Sequence, residues 1–400
     1  MGELTTSNPV NRDIPESAAG DTAAAAPTKV PLLDLDRENS QLADEMAAAF
    51  AKVMSSGRFV LGPECEELES AIASRCGTLH AIGCASGSDA LLLSLMAAGV
   101  SAGDEVVCPS FTFFATASAI TRLGATPVFA DINADTFNID AASVAAAITP
   151  KTKAIIPVHL FGQCAEMKKI SDLAVEHQLA VVEDCAQSID ASYNSLPSGS
   201  MSTAGCFSFY PTKNLGGCGD GGMITTSDDE FADKLRLLRA HGMRPRYHHN
   251  IVGINSRLDT IQAALLLVKL PRLKQWTEQR VANAATYQSL FANADLSAHV
   301  TLPTVASGCD PVWNQFTIRV AGGKRDALRE YLRSCEIGSE IYYPIPLHLQ
   351  PCFAEFGYAN GSLPVTEIAA AEVLSLPIFP GLTEAEQSRV VSAIREFFVA

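Results

Sequence analysis

The chain has 400 residues, 48% of them hydrophobic and 18% charged, and a formal net charge of −15 at pH 7. That composition is a globular protein's and excludes a disordered chain. The acidic balance argues against nucleic acid or an anionic membrane as the main partner, because both call for a basic surface; a phosphate-bearing ligand must meet a local patch instead.

Taken in chain order, residues 1–28 are small and polar, with "ESAAGDTAAAAPT" and no periodic apolar face, which predicts a disordered tail. The rest exceeds the ~250–300 residues that one core serves and predicts a large domain over 29–270 and a smaller one over 271–400. In "SQLADEMAAAFAKVM", Leu42, Met46, Ala49, Phe50 and Val53 fall on one stripe, predicting an amphipathic helix closed by Gly57. "SDALLLSLMAAG" is apolar nearly all round and predicts a buried helix. Four continuous apolar runs follow, "EVVCP", "TPVFADI", "KAIIPVH" and "LAVVEDC", separated by helical segments. Strands of this kind, apolar on both faces, predict an α/β domain with a mostly parallel sheet flanked by helices. "CFSFY" and "GGMITT" add two more strands, and a long helical pattern from Arg257 to Ala292, interrupted at Pro271, leads into an α+β domain containing "QFTIRV", "KRDALREYLRSCEI", "GSEIYYP" and "EAEQSRVVSAIREFF".

Eleven cysteines, an odd number with no C-x-x-C pair, predict free thiols in a reducing compartment. No apolar run is long enough to span a membrane and the first thirty residues carry no signal pattern, so a cytoplasmic protein is expected.

The chemistry concentrates at two places. "AVVEDCAQS" sets Asp184 at the carboxyl end of a buried strand, where open α/β sheets bind ligands; a helix N-cap would read the same way. "SFYPTKNLGGCGDGG" then isolates Lys213 between an aromatic strand and glycines that let the backbone pass close to a ligand. A lysine desolvated there has a lowered pKa and forms Schiff bases with carbonyls. A Schiff-base lysine with a carboxylate suits pyridoxal 5'-phosphate, whose ring nitrogen needs an acid partner. "CASGSDALLLSL" offers a phosphate cradle at Ser86, Gly87 and Ser88, where a turn opens a helix.

With "PSFTFFATASAI", "DINADTFNID", "AIIPVHLFGQ", "NSRLDTIQAALL" and "YYPIPLHLQP" also in order, the chain from Val30 onward resembles the DegT/StrS sugar aminotransferases, a branch of the fold-type I pyridoxal phosphate enzymes. The resemblance implies that Lys213 holds the cofactor, Asp184 pairs with the ring nitrogen, Gln187 approaches the ring hydroxyl and Phe113 stacks on the ring. It implies a phosphate site of Gly87, Ser88 and Ser208, completed by Asn255 of a second subunit, hence a homodimer. L-Glutamate would donate the amino group to a nucleotide-linked ketosugar. Among such enzymes the chain is most similar to the UDP-2-acetamido-2-deoxy-3-oxo-glucuronate aminotransferases of O-antigen synthesis; amination of a 3- or 4-keto-6-deoxyhexose would use the same cofactor residues, and some relatives are described as regulators. Arg244, Arg246, His248, His249 and Arg257 form the densest basic cluster, in which Arg257 suits a sugar carboxylate because a guanidinium can grip it with two parallel hydrogen bonds. Tyr342 stands where those enzymes commonly have histidine; Tyr343 and His348 keep the pattern.

Overall fold

A computed structural model describes residues 29–399; the tail expected over 1–28 lies outside the described residues. The strands in chain order are β1 (His80–Cys84), β2 (Glu105–Pro109), β3 (Thr126–Ala130), β4 (Thr152–Ile155), β5 (Ala180–Asp184), β6 (Ser192–Tyr193), β7 (Leu196–Pro197), β8 (Ala204–Ser208), β9 (Gly222–Thr226), β10 (Val300–Thr301), β11 (Cys309–Asp310), β12 (Phe316–Val320) and β13 (Val373–Leu376). Seven of them form one sheet in the order β1-β9-β8-β5-β4-β2-β3. The steps from β3 through β2, β4 and β5 to β8 are all parallel, and β9 is antiparallel to both β8 and β1. The expected α/β architecture with a mostly parallel sheet is therefore what the chain adopts.

Helix Gly87–Ala97, apolar on every side, is sandwiched between β8 and helix Ala115–Thr121. Helix Ala43–Ser56 ends where expected, with Gly57 in the left-handed region at φ 65° closing its last turn onto Val53 O. Of its predicted stripe only Leu42, just ahead of the helix, and Val53 are buried, whereas Phe50 is 45% exposed. The interruption at Pro271 falls between helices Thr260–Lys269 and Leu273–Ala292, where one 3-10 turn joins them.

Beyond these helices β10, β12 and β13 make an antiparallel sheet over which helices Arg325–Ser334 and Glu384–Val399 pack against each other. The start of the described chain docks here as well. Val30 pairs with Ile337, and Arg37 grips Glu386 with two hydrogen bonds of 3.0 and 2.7 Å. All eleven cysteines are free. No helix of the described residues is long and apolar enough to cross a membrane.

Candidate active site

The parallel strands end on one side of the sheet, and chemistry gathers there. β5 stops at Asp184, 5% exposed. Thr116 Oγ1 donates to its Oδ2 at 2.9 Å and the Ala186 N–H to its Oδ1 at 3.2 Å. Burial pushes the Asp184 carboxyl up; these two bonds and the charge of Lys213 pull it back.

Lys213 lies five residues past the end of β8 and is partly buried. Its ammonium makes no hydrogen bond or ion pair among the described residues, and burial pulls it down to about 8 against the opposing charge of Asp184. The loop carrying it is tight: Lys213 N–H donates to Tyr210 O at 2.9 Å and Gly217 N–H to Phe209 O at 2.7 Å. At Gly216 a Cβ would collide with the Pro211 carbonyl, so only glycine closes this turn.

The helix beginning at Gly87 points its first turn into the same region. Ser86 caps it, accepting from the Asp89 N–H at 3.1 Å, while the leading N–H groups of Gly87 and Ser88 have no intrahelical acceptor. Gly222 pairs with both Cys84 and Ser208, which draws the Ser86–Gly87 turn against Ser208. A Cβ at Gly87 would lie 2.7 Å from Ser208 Cβ. Gly87, Ser88 and Ser208 are thus brought together at a helix N-terminus, where anions bind.

Gln187 reaches back along the chain and across it: Oε1 accepts from the Phe161 N–H at 2.6 Å and Nε2 donates to the Tyr343 hydroxyl at 3.3 Å. Tyr343, its hydroxyl pushed up by burial and by Asp184, has its ring 6.2 Å from that of Phe113 and 5.9 Å from that of Tyr342. Phe113 is 58% exposed, a large ring face on view beside Tyr343. His348 differs from these. It is 1% exposed, its Nδ1 lies 2.6 Å from Ser110 Oγ and its Nε2 3.2 Å from Glu367 Oε1, and burial pulls it down. With both ring nitrogens engaged, it fastens the "YYPIPLHL" segment to the end of β2.

Asn255 and Arg257 sit on a loop joined to the Ser86 turn by Ser256, whose Oγ accepts from the Ala85 N–H at 3.1 Å. Asn255 is exposed and Arg257 partly buried. Within the chain neither side chain bonds to the Lys213–Asp184 pair. Arg244 is paired bidentately with Asp233 and Arg246 lies over the ring of Tyr247, whereas Arg257 has no hydrogen bond or ion pair among the described residues.

Sequence reasoning missed Thr116, which faces Asp184 from a helix 68 residues earlier. It also missed a buried pair behind the site. His159 Nδ1 accepts from the Ala165 N–H at 3.1 Å, so its other nitrogen carries the hydrogen and donates to Glu183 Oε2 at 2.9 Å. Strand alternation held the signal, since adjacent Glu183 and Asp184 must point to opposite faces of β5.

The sequence model of the DegT/DnrJ/EryC1/StrS aminotransferase family matches residues 40–395. A protein of Geobacillus stearothermophilus named pleiotropic regulatory protein is 52% identical, covering 92% of this chain and 98% of its own length. The UDP-N-acetyl-3-dehydro-alpha-D-glucosamine 3-aminotransferase of Acidithiobacillus ferrooxidans is 45% identical over 92% of this chain and 98% of its own. Among solved structures, S. venezuelae DesV in complex with a ketimine intermediate superimposes with a TM-score of 0.89 at 44% identity, covering 92% of this chain and 98% of that one.

Proposed function

The chain belongs to the DegT/DnrJ/EryC1/StrS aminotransferase family and is a pyridoxal 5'-phosphate-dependent sugar aminotransferase; from that premise we propose that it aminates C3 of UDP-2-acetamido-2-deoxy-3-oxo-glucuronate, taking the amino group from L-glutamate. We further propose a cytoplasmic homodimer in which residues 29–270 carry the cofactor and residues 271–400 form the smaller domain.

The residues fit the cofactor. A cofactor aldehyde calls for an amine with an appreciable neutral fraction near pH 7, and Lys213 is held at about 8. A pyridine nitrogen calls for a carboxylate with spare acceptor capacity, and Asp184 has only two donors. A phosphate calls for free N–H groups, and the crowded turn at Gly87 leaves them at a helix start. When bound, pyridoxal phosphate supplies an electron sink that acidifies the carbon bearing the amino group. Lys213 Nζ would hold the cofactor and, once displaced by the amino group of glutamate, would be the base that takes the proton from the α-carbon. Asp184 would keep the ring nitrogen protonated, and Phe113 would be the ring offered to stack on the cofactor. Gln187 is oriented by Phe161 and Tyr343 to meet the ring hydroxyl. Gly87, Ser88 and Ser208 would hold the phosphate, with Asn255 reaching over from a second copy of the chain.

The substrate reading rests on one observation, the guanidinium of Arg257, unpaired among the described residues. In a chain this acidic, a partly buried arginine without a carboxylate of its own is suited to one brought by the sugar. Tyr342, Tyr343 and His348 would shape the wall around that sugar, His348 through the segment it fastens. A second reading follows from the Acidithiobacillus relative, whose name specifies a UDP-N-acetyl-3-dehydroglucosamine without the carboxylate. The test is single turnover: enzyme charged with glutamate is offered each of the two sugars, and new amine is counted by mass spectrometry. Preference for the uronate that collapses in Arg257→Ala supports the proposal; equal use by parent and variant transfers the assignment to the neutral sugar. A regulatory role alone, as in the name of the Geobacillus relative, gives Lys213 and Asp184 nothing to do, and a visible absorbance band bleached by glutamate would dispose of it.

A further inference from the structure

The loop after β8 is held at several points. Besides the bonds of Lys213 and Gly217 already described, Gly216 O accepts from Lys269 Nζ at 2.8 Å and the Cys218 N–H donates to Gln262 Oε1 at 2.9 Å. Asn214, next to the lysine and 5% exposed, is held from a different quarter. Its Nδ2 donates to Val312 O at 3.2 Å, and its Oδ1 accepts from Asn314 Nδ2 at 2.6 Å. Asn314 is 6% exposed, so the amide pair is closed to solvent.

The segment that receives Asn214 is itself braced. Val312 N–H donates to Gly162 O at 2.9 Å and Asn314 N–H to Phe161 O at 3.0 Å. Arg280, 2% exposed, donates through Nη1 to Trp313 O at 3.3 Å and to Ile378 O at 2.9 Å. Phe161 also positions Gln187. Residues 312–314, immediately ahead of β12, therefore form one abutment for two parts of the site: the Lys213 loop through Asn214 and the Gln187 amide through Phe161.

We infer that Asn214 and Asn314 are positioning residues for the reaction: their amide pair ties the Lys213 loop to the segment entering β12 and keeps the lysine amine in its sheltered place beside Asp184. The inference rests on Lys213 being the reactive amine. Neither asparagine touches the reacting atoms. A lysine released from this tether reaches solvent, and its proton affinity returns toward that of a free side chain. Asp184 is the one charged group acting on it from the neighbouring strand.

Competitive acetylation measures this directly. The full-length chain, freed of cofactor, is labelled with acetic anhydride over a series of pH values, and the Lys213 peptide is quantified by mass spectrometry. Asn214→Ala and Asn314→Ala should each raise the labelling midpoint by at least about one pH unit, toward the free-lysine value of about 10.4. Asn283→Ala is the control. That asparagine, 9% exposed, donates to Phe379 O at 2.9 Å, and its loss should lower stability while leaving the Lys213 midpoint where it was. If the alanine variants are insoluble, the double variant Asn214→Leu/Asn314→Leu keeps the branched shape and removes the bond between the pair, and the same criterion applies. Midpoints equal to the parent's, or an equal shift in Asn283→Ala, overturn the inference. Adding pyridoxal phosphate to the parent should protect Lys213 from the label. Failure of that protection would sink the cofactor-lysine assignment while leaving the positioning result standing.

Discussion

Keeping an amine near neutral inside a folded chain has a thermodynamic consequence that can be measured. Lys213 is held at about 8 against an ordinary value of 10.5, so the folded chain binds this proton more weakly than the unfolded chain does. Between those two values the unfolded state carries the extra proton, and stability rises with pH; below about pH 8 the folded state bears the full penalty. A depression of this size corresponds to about 3 kcal/mol, which partial solvent access trims to about 1–3 kcal/mol. Lys213→Met keeps a stem of similar length and removes the charge, while Thr116 and Ala186 continue to hold Asp184. The cofactor-free variant should therefore exceed the parent by about 1–3 kcal/mol near pH 7, and its advantage should vanish as pH approaches 10.5, where the parent's lysine is neutral as well. Urea unfolding of both proteins at the two pH values gives the comparison, provided the slopes agree. A variant no more stable than the parent near neutrality, or one whose advantage persists at high pH, would refute the claim that desolvation sets the lysine's proton affinity. In the proposed mechanism the compensation is catalytic. At pH 7 about a tenth of such amines are unprotonated, against fewer than about one in a thousand for an ordinary lysine.

Asp184→Asn should fold normally yet slow the glutamate half-reaction by about 100-fold or more, the scale of losing a preorganised electrostatic partner; stopped-flow bleaching of the visible band reads it, and a loss of only a few-fold would make Asp184 a structural carboxylate. Gly87→Ala, whose Cβ would stand 2.7 Å from Ser208 Cβ, should weaken pyridoxal phosphate binding about tenfold by forcing the cradle apart, measured by fluorescence titration. If Arg257, two residues after Asn255, also serves the partner's site, mixing inactive Lys213→Ala with inactive Arg257→Ala should restore up to about a quarter of parental activity after subunit exchange, because half of a random mixture is hybrid and each hybrid holds one intact site of two; no recovery, with hybrids confirmed by native mass spectrometry, would place Arg257 in its own subunit's site. Glu183→Gln should cost about 3 kcal/mol or more by disrupting a buried network, seen as a lower unfolding midpoint.

Much of the large domain is legible because its strands are covered on both faces. "EVVCP" and "LAVVEDC" need no alternation to be recognised, and the structure forms β2 and β5 within them. β1, "HAIGC", escapes because it is five residues long, contains a glycine and begins with histidine; only its pairing with β9 makes it a strand. The Asp184–Lys213 pair is legible from the company each residue keeps, a strand end and a glycine loop. Thr116 and Asn314 are not, since their significance comes from partners 68 and 100 residues away. The amphipathic helix shows a different gap. Its stripe is real, but Phe50 and Met54 on the helix, with Phe59 and Val60 beyond it, are 45, 49, 42 and 52% exposed. Periodicity reports that a face is apolar and says nothing of which surface covers it; a second copy of the chain would supply that surface in the proposed homodimer.

Two neighbouring carboxylates at the end of β5 show why one of them is available for chemistry. A carboxylate has about four acceptor positions. Glu183, fully buried, fills them from within: His159 Nε2, the N–H groups of Gly199 and Met201, and Ser202 Oγ all donate to it at 2.8 to 2.9 Å. Nothing further can bind there without displacing one of them. Among the described residues Asp184 meets only two donors, Thr116 Oγ1 and the Ala186 N–H, and it alone of the two acts on Lys213. Since successive side chains of a strand face opposite sides, the same turn of backbone places the saturated carboxylate toward the Gly199–Ser202 loop and the unsaturated one toward the lysine. The saturated side has a use of its own. His159 lends its backbone N–H to Asp184 O at 3.0 Å, so the pair that locks Glu183 also fixes the strand end from which Asp184 projects. At the end of a braced strand Asp184 keeps a fixed place, and in the proposed site its open positions would serve the cofactor's ring nitrogen.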